Sequence, residues 1–82
     1  VKISRLKLND IVEITWLDAT SDSSWRNEEK VKKDVPAICH SVGYFSAQNK
    51  TAIVISPDKN NSKERSSTVI PLGMIKKVRK LK

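Results

Sequence analysis

The side chains able to do covalent chemistry are few, and their spacing keeps them apart. One cysteine, Cys39, precedes the single histidine, His40. Neighbours on a strand point to opposite faces, so a thiolate–imidazole dyad would need a bulge between them. Asp18 could approach His40 across paired strands, but one carboxylate and one imidazole, with no second acid and no Gly-rich loop, do not make an active site. A lone Cys cannot close an internal disulfide, and one Cys with one His cannot complete a structural zinc site. Walker, His-Glu-x-x-His and Cys-x-x-Cys motifs are absent from the sequence. Neither an enzyme nor a cofactor or metal is expected.

Charge offers more. The chain has 16 basic and 9 acidic residues, for a net +7. Residues 1–8 carry Lys2, Arg5 and Lys7 with no acid, giving +3. Residues 9–34 carry seven acids against Arg26, Lys30, Lys32 and Lys33, giving −3, and residues 35–82 carry nine basic residues against Asp58 and Glu64, giving +7. The last seven residues include Lys76, Lys77, Arg79, Lys80 and Lys82. If the terminal strands are neighbours, these eight terminal cations form one surface for nucleic-acid phosphates. The competing reading is a solvated edge strand whose lysines block edge-to-edge aggregation. Lysine outnumbers arginine 12 to 4, which favours non-specific phosphate contact over bidentate reading of bases. The acidic stretch reads as a solvated helix or loop face before it reads as a docking surface.

Sequence-tolerant binding of single strands uses exposed rings beside cations. The rings are Trp16, Trp25, Tyr44 and Phe45. Trp16 is in phase with a core face, and one of Tyr44 and Phe45 must also point inward. Trp25, in a polar stretch, is either a lid over a thin core or a partner anchor. Trp25, Arg26, His40 and Tyr44 are the candidate partner contacts.

These residues are to be positioned by a mainly β domain spanning 1–82. Leu6-Lys7-Leu8-Asn9-Asp10 reads as a lead-in strand closing on a turn. Ile11–Asp18 alternates, with Val12, Ile14 and Trp16 on one face and Ile11, Glu13 and Thr15 on the other. Residues 24–33 suit a short helix with acids early and lysines late, aided by Glu28–Lys32 and Glu29–Lys33 pairs, or else a long loop. Pro36 opens a second strand over 37–46, in which Gly43 marks a bulge or bend. A turn at 48–50, a central apolar strand over 51–56, a flexible hairpin tip at 57–66 and a strand over 67–70 follow. After Leu72-Gly73-Met74, a short turn that suits one 3₁₀ turn, Ile75–Leu81 closes the chain. Helical spacing of Met74, Val78 and Leu81 competes there with a bulged strand. Prolines at strand boundaries support the all-β reading. No apolar run approaches the roughly 20 residues that span a bilayer. One thiol and no leader-like segment point to a reducing cytoplasm. Val1 in place of methionine fits a trimmed start or a piece cut from a longer chain.

This order resembles small open five-stranded SH3-like or Sm-like barrels, including the Pro71-x-x-x-Ile75 turn into the last strand. A further resemblance rests on an ordered set: Trp16-Leu17-Asp18-Ala19, then Ser24-Trp25, then Cys39-His40-Ser41-Val42-Gly43-Tyr44, then Ile70-Pro71-Leu72-Gly73-Met74-Ile75. Over most of residues 9–82 it is similar to a group of small phage- and prophage-encoded proteins. That resemblance implies a setting, the bacterial host cytoplasm, and a product that works by binding. The expectation is a non-enzymatic binding module whose partner is nucleic acid, contacted through Lys2, Arg5, Lys7, Lys76, Lys77, Arg79, Lys80 and Lys82. A host protein met through the partner contacts is the alternative, and a self-associating structural piece is a third.

Overall fold

The computed structural model describes residues 2–18, 27–31 and 35–82. Five strands form a single antiparallel sheet: β1 (Ile11–Asp18), β2 (Ala37–Gln48), β3 (Ala52–Ser56), β4 (Thr68–Pro71) and β5 (Ile75–Lys80). Their order is β4-β3-β2-β1-β5, so the chain meanders through four strands and then returns to pair its last strand with its first. A four-residue helical turn, Glu28–Val31, lies between β1 and β2. Of the rest of the expected 24–33 helix, Asn27 is not helical, and residues 24–26, 32 and 33, among them Trp25, Arg26, Lys32 and Lys33, lie outside the described residues.

Alternation builds the core. Val12 and Ile14 of β1 are fully buried, as are Ile53 and Ile55 of β3 and Ile70 of β4, with Phe45 and Val78 nearly so. Each fully buried aliphatic side chain contributes about 1.5–3 kcal/mol relative to exposure. Trp16, Leu72 and Ile75 pack against this cluster, and the Trp16 indole Nε1–H donates to Ser41 Oγ at 3.0 Å. Ile75–Lys80 forms a strand, resolving the helix-or-strand ambiguity, and the register shift between Thr15 and Trp16 leaves Lys76 as its extra residue.

The sheet is open, and geometry requires it to curl. β4 and β5 are its opposite edges, yet only the 3₁₀ turn Leu72–Met74 joins them. Four residue steps reach roughly 14 Å, whereas the edges of five flat strands stand about 19 Å apart. Gly43 permits part of that curl. A Cβ there would lie 3.0 Å from the backbone C and O of Ser56 and 3.2 Å from Pro57 N. The β2 bulge itself sits two to three residues later, where the register shifts between Phe45 and Ala47.

Residues 6–10 do not form the expected lead-in strand. Ile3–Arg5 is a 3₁₀ turn instead, followed by a turn in which Asp10 N donates to Lys7 O at 3.0 Å and Lys7 N donates to Asp10 Oδ2 at 2.8 Å. Leu6 alone of this stretch enters the core, while Leu8 is 63% exposed. Asn9 adopts φ 71°, which extended backbone excludes.

Candidate nucleic-acid interface

The two basic ends meet at the start of β1. Ile11 N donates to Lys82 O at 2.7 Å and Leu81 N donates to Ile11 O at 2.7 Å. Directly upstream, Asn9 N donates to Phe45 O at 2.8 Å, and Phe45 N donates to Asp10 O at 2.7 Å. These bonds tie residues 9–11 to β2 on one side and to the last residues of the chain on the other, and Asp10, which accepts the Lys7 N–H and pairs with Lys80, links the two ends. The neighbours are thus a 3₁₀ turn with its following loop and a strand, rather than two terminal strands.

All eight terminal cations are exposed. On β5, Lys77 stands opposite Thr15 and Arg79 opposite Glu13. Across β1, those residues face His40 and Val42 of β2. Buried Val12, Ile14 and Val78 occupy the other face, so Lys77, Arg79, Thr15, Glu13, His40 and Val42 share the outer one. The Thr15 Oγ1–His40 Nδ1 hydrogen bond of 3.1 Å confirms the shared face. Tyr44, opposite Ile11, continues it. Two cations have carboxylate partners: Arg79 with Glu13 at 3.4 Å and Lys80 with Asp10 at 3.6 Å. Among the described residues, Lys2, Arg5, Lys7, Lys76, Lys77 and Lys82 have none.

Cys39 and His40 fall on opposite faces: Cys39 pairs with Trp16 on the core side and His40 with Thr15 outside. Asp18 stands opposite Ala37, three positions from His40, so the register does not bring that pair together. Among the described residues, no three His, Cys, Asp or Glu side chains gather as a metal site, and no helix is long and apolar enough to cross a membrane. Of the candidate partner contacts, His40 and Tyr44 lie on the outer face; Trp25 and Arg26 lie outside the described residues.

A second group of cations, outside the expected contact residues, is organised around residues 57–66, the expected flexible hairpin tip. An isolated bridge joins Lys59 and Arg65. Asn60 N donates to Glu64 O at 2.9 Å, and Asn60 Oδ1 accepts the backbone N–H groups of Ser62 at 2.9 Å and Glu64 at 3.1 Å. Arg65 ties this hairpin to the sheet. Its Nη1 donates to Ser46 Oγ at 2.9 Å and its Nη2 to Asn9 Oδ1 at 3.0 Å. Ser46 in turn bonds the buried Ser56 hydroxyl. Lys59 Nζ lies 4.5 Å from the centroid of the Tyr44 ring, a cation–π contact. The available signal was the run Lys59-Asn60-Asn61-Ser62-Lys63, in which Asn side chains favour turns closed by their own backbone.

No family model matches the chain, and neither the curated proteins nor the solved structures contain a match to it.

Proposed function

We propose that this protein is a non-enzymatic binding module that contacts the nucleic-acid backbone through its basic terminal segments. The observation that supports it is the hydrogen bonding at Ile11, which seats the last residues of the chain at the start of β1, directly after the basic amino-terminal segment. Lysines without counter-charges act as point charges for phosphates, and binding gains from release of condensed counterions. The outer face adds Lys77, Arg79, His40 and a half-buried Tyr44 along one surface. The finer readings belong here as well: a curled meander whose last strand returns to the first fits a small SH3-like or Sm-like barrel, and the motif order fits a phage-derived protein acting in the host cytoplasm.

The test is binding to mixed-sequence DNA and RNA across a salt series. If about three to six phosphates are neutralised, log affinity falls against log salt with a slope of about −3 to −5. Absence of binding at low salt, or binding that ignores salt, overturns the reading.

A host-protein partner is the second reading, favoured by apolar side chains on the outer face. Ile38 is 62% exposed and Val42 49% exposed. A nuclease-treated lysate separates the two, since a nucleic-acid binder loses its cargo there and a protein binder keeps its partner.

A further inference from the structure

Between the Asn9 turn and the 57–66 hairpin lies a cleft of about 480 Å³, with Leu8 and Asn9 on one wall and Lys59, Asn60, Lys63 and Arg65 on the other. Among the described residues Glu64 is the sole carboxylate lining it, and its Oε1 accepts a long 3.4 Å bond from Asn60 Nδ2.

Arg65 is half-buried and permanently charged, and a charge withdrawn from water is ordinarily matched by a counter-charge. Here both of its acceptors, Ser46 Oγ and Asn9 Oδ1, are neutral. Two of five guanidinium N–H groups are thereby used, and no carboxylate pairs with Arg65 among the described residues. Backbone conformation singles out the same place. The described non-glycine residues with positive φ are Asn9 at 71° and Lys63 at 64°, and both border this cleft. Asparagine adopts that conformation readily, but lysine does so against its Cβ. Such departures cluster at binding sites, where the surrounding structure enforces them. The Lys63 side chain is exposed and lacks an ionic partner among the described residues.

We propose that this cleft is an oxyanion site that takes a phosphate group, with Arg65 supplying directional donors and Lys63 and Lys59 supplying charge. Its lining includes none of the eight terminal cations, and it does not depend on them. The phosphate can belong to a small phosphorylated molecule or to a nucleic-acid backbone.

Inorganic phosphate titrated into ¹⁵N-labelled protein tests the site. Saturable shifts are expected at Asn9, Asn60, Lys63 and Arg65, including the Arg65 Nε–H signal. Arg65→Lys keeps the charge but removes the planar donor set, and weakens phosphate by roughly tenfold. Lys63→Ala removes an exposed side chain without disturbing the sheet and weakens it roughly threefold. No saturable shift at these residues, or affinity unchanged in both variants, overturns the proposal. A short oligonucleotide is the second probe. If it shifts the same residues and phosphate displaces it, the site holds a backbone phosphate. If phosphate binds and the oligonucleotide does not, the site stands with a small phosphorylated ligand. If the oligonucleotide shifts only the terminal segments while phosphate leaves the cleft silent, the site fails and the terminal interface survives.

Discussion

The β5 edge and the 57–66 hairpin use the same residue types in opposite ways. On β5 the cations face water, and Arg79 and Lys80 are partnered by the carboxylates of Glu13 and Asp10. In the hairpin, Arg65 is half-buried against two neutral oxygens, and Lys59 rests over an aromatic ring. Exposed ion pairs contribute about 0–1 kcal/mol and weaken with salt, so β5 gains little rigidity from its charges. Arg65 instead joins three separate parts of the chain at one group. Equal charges therefore do unequal work: the β5 set faces water without bracing the sheet, while Arg65 braces the fold with two of its N–H groups and keeps the others free.

The sharpest way to break that contrast is at the hairpin's root. Gly43→Ala brings a methyl carbon to 3.0 Å from the Ser56 backbone C and O and 3.2 Å from Pro57 N, and backbone cannot rotate away as a side chain can. A loss of about 2–4 kcal/mol is expected in urea unfolding, and a loss below about 0.5 kcal/mol would mean the sheet relaxes there freely. Next in size is Arg65→Gln, which removes the brace and leaves Ser46 and Asn9 without their donor. About 1–3 kcal/mol is expected, read as a lower unfolding midpoint with faster amide exchange at Asn9 and residues 59–66. Arg79→Ala is the smallest. Unfolding free energy changes by no more than about 0.5 kcal/mol, while the salt slope for nucleic acid falls by about one. A large stability loss from Arg79→Ala would erase the distinction between the two regions.

Much of the sheet is legible in the sequence because its cause is local. Val12, Ile14 and Trp16 alternate with Glu13 and Thr15, and the structure keeps that assignment. The apolar run 52–56 becomes the inner strand β3, and Pro36 precedes β2. Gly43 was recognisable as a special position, though not as the point where Ser56 crosses. The misread parts depend on distant partners. Leu6, Lys7 and Leu8 alternate well enough for a strand, but the closure of Asp10 onto Lys7 and the positive φ of Asn9 turn the chain away. Arg65 finds Asn9 across a separation of 56 residues, which no local pattern encodes. Charge density along the sequence favours the terminal cations over the hairpin, because composition does not reveal which cations lack acids.

The return of β5 to β1 also sets the order in which this fold can be made. Val12 pairs with Lys80 and Ile14 with Val78, so β1 awaits a strand that is made after β2, β3 and β4. Until residues 75–80 emerge, β1 is an edge with an uncovered apolar side, and closing so long a loop makes such pairings slow. During synthesis that strand is exposed to aggregation or to a chaperone, and the sheet completes its core only once residues 75–80 have been made.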